Sequence, residues 1–510
     1  MRKCSEPGVS RLGRQRIAAI GMSMRMLALV AFVLMASACS ITVPTNHIVM
    51  ANGLGNPTDP SSNFFGKHLS YVPGVTYRQM DDVRFGEHLY QIRQAMIAHP
   101  VEANGKRKVL IFIHGGLNTA TDSVARASRL NESIGQAGYF PVFVNWESSF
   151  PTSYFDHLFN FRQGRRTFHW CCGNPDAPEP LKTAVGAVVG ALTMPFYLAT
   201  DMARGVLRAP VVWFSLMTKR DQASALSRSA SSTFSSLRRR FDSALRDPTG
   251  AHPDTVAISE GPDQRNLGER IVTTVDDFNP LKLPASLIID AGGTSAWANM
   301  VRRTRTLFQR DADFERDVGT AQPGGALARW LTHLQETIDQ NGGPEAWDVT
   351  VVGHSMGAII LNEILRDVPT LPVSSIVYMA AAASIRDYQD TVFPYLLHAN
   401  TKAEVYHLTL HPDAETEERS FGSIAPDGSL LVWIDAFLSS PATALDLTAG
   451  RFTNLLPTLE GTPAPIRERI HVKAFGVGRS LASTDPQAHG DFDTIEFWKP
   501  SVWAPEGHHE

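Results

Sequence analysis

Cysteine is scarce in this chain: only four occur in 510 residues, so disulfides are not what holds the fold together. Cys4 and Cys39 lie in the N-terminal leader. Cys171 and Cys172 are adjacent, which would strain a bridge between them, and neither is given a catalytic role. An excess of charge of one sign is also missing. A net charge of −4, with 19% charged residues, leaves no electrostatic footprint for nucleic acid. No internal repeat is visible, and no long hydrophobic run is free of prolines and charges. Apolar material is not lacking. At 43% hydrophobic the chain can build a sizeable core, which excludes wholesale disorder. Its length accommodates either one core with a large insertion or two domains.

The leader comes first. From Met22 to Cys39 the chain reads MSMRMLALVAFVLMASAC, with Arg25 ahead of an apolar run that ends in small residues. The run is about 14 residues long, too short to cross a bilayer and suited to a secretory signal. Residues 1–21 are then an extended basic region, or they precede a true start at Met22 or Met24. Ala36-Ser37-Ala38-Cys39 resembles the lipobox of bacterial lipoproteins. That resemblance implies a diacylglycerol on the Cys39 thiol, which becomes the mature N-terminus. Ser40 rather than aspartate follows, which by the same resemblance implies the periplasmic side of the outer membrane. A plain signal peptide ending near a cysteine is the alternative.

Residues 40–80, rich in Pro, Asn, Gly and Ser, read as a tether and irregular approach. Strand and helix signals then alternate. Lys108–Ile113 and Tyr139–Trp146 are continuous apolar runs suited to strands buried on both faces, with a helix over 121–136 between them. An amphipathic helix over 324–341 leads to a strand at Asp348–Val352 and a helix at Ala358–Arg366. Further strands are predicted at Ser375–Met379, Glu404–Leu410 and Ile470–Phe475. This alternation predicts an α/β fold, a mostly parallel sheet with helices on both faces. The core is assigned to 81–150 and 321–500, with 501–510 as a tail. Residues 151–320 break the rhythm and read as a mostly helical insertion. Within it, Leu181–Leu216 is apolar but interrupted by Pro195, Asp201, Arg204, Arg208 and Pro210. The prolines predict short helices, forming either a lid or lipid-contacting surface, or the buried packing of a subdomain.

Gly353-His354-Ser355-Met356-Gly357 matches Gly-X-Ser-X-Gly, a short pattern whose weight comes from context. A β-branched strand precedes it and a helix follows, so the motif falls on a sharp strand-to-helix turn. There the serine is strained, its Oγ is exposed, and helix N–H groups point at it. Ser355 is the candidate nucleophile. Two N–H donors must face the oxygen that becomes negative. Met356, directly after the serine, supplies one; His114-Gly115-Gly116-Leu117, straight after the first buried strand, supplies the other from Gly116, with Leu117 next. A histidine base belongs in a loop after the last strand. His471 lies inside that strand, and His508 and His509 are at the tail, which leaves His489 beside Gly490. For the acid, Asp413 follows the strand Glu404–Leu410. Asp387, one strand earlier, is its rival, and Asp435 falls in an apparent helix and reads as structural.

These features resemble the α/β-hydrolase superfamily over about 105–150 and 323–500, with the insertion outside the resemblance. It implies a Ser355–His489–Asp413 triad and an acyl-enzyme, with no metal or organic cofactor. The leading expectation is a lipid-anchored carboxylic-ester hydrolase acting on acyl or lipid esters near an envelope membrane. An acyltransferase or peptidase on the same triad, and a non-catalytic envelope scaffold, are the alternatives.

Overall fold

The computed structural model describes residues 43–62, 77–162, 165–167, 179–229, 282–310, 324–398, 401–418, 427–475 and 486–503. The leader up to residue 42, with Cys39, lies outside these residues, as do Cys171, Cys172, His508 and His509.

A seven-stranded, wholly parallel sheet organises residues 44–510. Its strands are β1 (Ile48–Ala51), β2 (Arg107–Ile113), β3 (Tyr139–Trp146), β6 (Trp347–His354), β7 (Val373–Met379), β8 (Glu404–Leu410) and β9 (Ile470–Phe475). A separate two-stranded hairpin supplies β4 (Phe161–Arg162) and β5 (Arg165–Arg166). The order across the sheet is β1-β3-β2-β6-β7-β8-β9. The chain therefore moves outward in one direction from β2 and, after the insertion, in the other from β6. Such a reversal leaves a crevice at the carboxyl ends of the central strands, where α/β proteins place their ligands.

The helices that matter here are α1 (Asp82–Ala98), α2 (Ala120–Gln136), α3 (Phe150–Phe159), α4 (Glu179–Ser229), α5 (Lys282–Thr306), α6 (Ala326–Gln340), α7 (Gly357–Asp367), α8 (Ile385–Leu397), α9 (Pro412–Glu417) and α10 (Phe452–Glu460). Local chemistry sets several of their starts. Thr119 and Asp122 form a capping box at α2, and the Asp81 and Ser384 side chains accept from backbone N–H groups at α1 and α8. Leu327, Leu331, Leu334 and Ile338 of α6 fall on one face and are buried.

Three elements depart from the sequence expectation. Ile48–Ala51, inside the stretch expected to be irregular, pairs in parallel with Phe143–Trp146 and is fully buried. Four apolar residues are too short a signal to read until an unpaired strand edge is there to receive them. Trp503, at the start of the expected tail, packs its ring 4.4 Å from that of Tyr406 on β8. The largest departure is α4. Pro195 and Pro210 were expected to divide Leu181–Leu216 into short helices, yet one helix runs from Glu179 to Ser229 through both. An internal proline removes one hydrogen bond to the residue four back and bends a helix; where the flanking turns are held by neighbours, it need not end it. Here α3 and α5 both pack against α4.

Candidate active site

The strand-to-helix turn predicted at Ser355 is present. β6 ends at His354 and α7 starts at Gly357. Ser355 stands at φ 52°, the left-handed region that a non-glycine residue enters only at a cost of about 1–3 kcal/mol. Neighbouring backbone holds it there. Its N–H donates to Met379 O at 2.8 Å, and its carbonyl accepts from Ala382 N at 2.9 Å and Ala358 N at 3.1 Å. Gly357 is needed for the close approach of β2, since a Cβ there would fall 2.3 Å from Ile113 O.

His489 Nε2 lies 2.9 Å from Ser355 Oγ, so two residues 134 positions apart meet at the carboxyl ends of the strands. Both backbone groups of His489 are clamped. Its N–H donates to Glu418 Oε2 at 2.8 Å, and its carbonyl accepts from His354 Nε2 at 3.2 Å. A carbonyl cannot donate, so the His354 proton sits on Nε2. Burial holds the His354 ring neutral, its pKa pushed down to about 4, with the Arg126 charge acting in the same sense. Burial, and then His354, push His489 well below the ordinary histidine value. His489 is therefore a neutral base at physiological pH.

The loop after β2 is similarly fixed. Trp146 N donates to His114 Nε2 at 3.2 Å, which puts the His114 proton on Nδ1, 2.8 Å from Gly115 O. Burial lowers this ring to about 3 and keeps it neutral. The Asn118 amide donates to the carbonyls of Gly115 and Gly116 at 3.0 and 3.1 Å. Leu117 is the weaker donor candidate, because its N–H already donates to Ser148 O at 3.0 Å. No hydrogen bond is found for the N–H of Gly116 or Met356 among the described residues. A further tie reaches across the site. Arg126 donates to Asn118 Oδ1 at 2.9 Å and pairs at 2.6 Å with Asp493, which closes the 3-10 turn begun by His489.

The sequence expected an exposed nucleophile; Ser355 is in fact 1% exposed. From the insertion, α5 brings Met300 beside Gly116 in the loop after β2. Arg303, itself buried, anchors α5 there through Asp156 Oδ2 at 2.6 Å and Ser153 Oγ at 3.0 Å.

The acid is the least resolved member. Asp413 lies in α9 directly after β8, and its side chain is outside what the structure describes. Among the described residues, Nδ1 of His489 has no hydrogen-bond partner. Asp387 is occupied elsewhere, accepting from Asn362 at 2.6 Å and Arg366 at 2.8 Å. Asp435 is buried under Arg451 at 3.0 Å and also accepts from Thr448 N and Asn454. Glu415 takes the other edge of Arg451 at 3.1 Å; burial pushes its carboxyl up to about 7. Sequence reasoning overlooked Glu418 and the clamp by His354. His354 stood in the motif, but nothing in Pro412–Glu418 distinguishes its acids before the His489 loop is folded onto them.

No family model, no curated protein and no solved structure matches this chain.

Proposed function

We propose that the chain is a serine hydrolase of the α/β-hydrolase type, cleaving carboxylic esters of acyl or lipid substrates through an acyl-enzyme. The observation that carries this reading is the 2.9 Å contact between Ser355 Oγ and His489 Nε2, made by a serine held at φ 52° on a strand-to-helix turn. A satisfied structural serine would need neither the strained backbone nor a buried neutral imidazole.

In this reading Ser355 Oγ attacks the acyl carbon while its proton passes to His489 Nε2. The carbonyl electron pair moves to oxygen, where the N–H groups of Met356 and Gly116 stabilise it. Collapse breaks the ester C–O bond, and the departing alkoxide takes the proton from His489. Water then repeats the sequence on the acyl-enzyme, releasing the carboxylic acid and restoring Ser355. The reaction calls for no metal or organic cofactor. A carboxylate at His489 Nδ1 must hold the tautomer and offset the charge that forms. Asp413 is the choice from position in the chain. Glu418 is the second reading, favoured by its bond to the His489 backbone, since one carboxylate can serve N–H and Nδ1 of the same residue after a side-chain rotation.

The leader supports a lipid anchor on Cys39, placing the enzyme at the cell envelope, on the periplasmic side of the outer membrane. Replacing Cys39 by serine should stop palmitate labelling, and a mature N-terminus elsewhere would exclude the anchor. For the reaction, a fluorophosphonate probe should label the wild-type chain at Ser355 and leave Ser355→Ala unlabelled. Absence of labelling in both would turn the reading towards a non-catalytic scaffold. Given labelling, p-nitrophenyl esters of graded chain length would separate an esterase from a transferase or peptidase.

A further inference from the structure

Over residues 181–210 of α4 the two sides of an ordinary surface helix are exchanged. The side against the protein carries small and charged residues. Lys182 and Asp201 are buried, Gly190 lies against the backbone of Phe159, and Gly205 against that of Leu287. Asp201 receives His157 Nε2 at 3.0 Å and Arg204 at 3.3 Å, and Arg208 reaches Asp290 at 3.5 Å. The side facing away is apolar: Val188, Leu192, Phe196, Met202, Val206 and Leu207 are 40–78% exposed. A helix of a soluble fold buries its apolar stripe and wets its charges. Small residues inside and large apolar ones outside are the arrangement of a helix that meets lipid.

We propose that this outer face of α4, extended by Ile288 of α5, lies in the acyl region of a lipid bilayer with the helix along the membrane surface. Ala184–Pro210, 27 residues, is long and apolar enough to cross a membrane, and only 17% of its apolar window is buried. At 1.5 Å per residue it measures about 40 Å, more than the roughly 30 Å of hydrocarbon a crossing helix needs. Crossing is disfavoured by the pairs from Asp201, Arg204 and Arg208 to α3 and α5, which fasten the inner side to the folded body and leave one side for lipid.

The test uses the full chain and does not depend on the catalytic reading. A carbene-generating photolabel that partitions into hydrocarbon is added to the protein on vesicles of phosphatidylethanolamine and phosphatidylglycerol. Trypsin then releases Thr183–Arg204 as one peptide, separate from the leader. Labelling of that peptide is expected only with vesicles, and it should fall about tenfold in the double variant Leu192→Glu, Phe196→Glu, which adds no trypsin site. Val83→Lys, at a 73% exposed position on α1, should leave it unchanged. Circular dichroism checks that the variants fold, and should the double variant misfold, the wild-type comparison with and without vesicles still decides. Label confined to the leader, or equal without vesicles, overturns the proposal. So does a dimer by ultracentrifugation in which the peptide is shielded, which would assign the face to a second copy.

Discussion

The turn at Ser355 and helix α4 both bury polar groups, but for opposite ends. At the turn, Ser355, His354, His114 and His489 are each within 5% of full burial; backbone partners set the tautomers of His114 and His354, and the His489 ring meets Ser355 Oγ. Their surroundings are the apolar ends of β2, β3 and β6, so polarity there is an island in an ordinary core. In α4 the buried Asp201 belongs to a polar seam between helices, and the apolar residues face outward. Polar burial by itself therefore does not mark chemistry. What separates the two regions is whether the buried groups are left with a reactive lone pair, as at His489 Nε2, or are paired off, as at Asp201.

The sharpest way to break this contrast is to remove the reactive group. Ser355→Ala should lower ester turnover by about 10³-fold or more while leaving thermal unfolding near wild type. Retained turnover in purified mutant would reduce the turn to a structural device. The carboxylate comes next. Asp413→Asn and Glu418→Gln should differ, and the one that supports His489 Nδ1 should cost up to roughly four orders of magnitude in kcat. Should Asp387→Asn have the larger effect instead, the acid belongs one strand earlier.

A smaller effect is expected from pH. His114 and His354 are held neutral, at about 3 and about 4, so the unfolded chain binds protons below pH 6.5 that the folded one does not. Their contribution is a penalty absent above pH 6.5. It grows as pH falls towards their folded values, by about 1.4 kcal/mol per unit for each ring. Urea unfolding at pH 7 and pH 5 should show that loss, and equal midpoints would mean the rings are not held neutral. The smallest effect belongs to the clamp. His354→Ala removes a hydrogen bond to the His489 carbonyl and should lower kcat by about tenfold with little change in KM.

What could be read from sequence followed from short-range rules. Continuous apolar runs located β2 and β3, and a β-branched run before Gly-X-Ser-X-Gly located the turn, because strand burial and turn geometry are decided within a few residues. His489 was accessible by elimination along the chain, and its Nε2 does meet Ser355. The tertiary structure alone decided the rest. Ile48–Ala51 is a strand because β3 offers it an edge. Ser355 is buried in a site that Met300 approaches from a helix far along the chain. Glu418 matters because folding brings its carboxylate to the His489 N–H. The two sides of α4 are the clearest case. Its residue spacing is that of any amphipathic helix, and which side faces the protein was settled by Gly190 and Gly205 admitting backbones that no larger residue would, and by Asp201 and Arg208 finding partners inside.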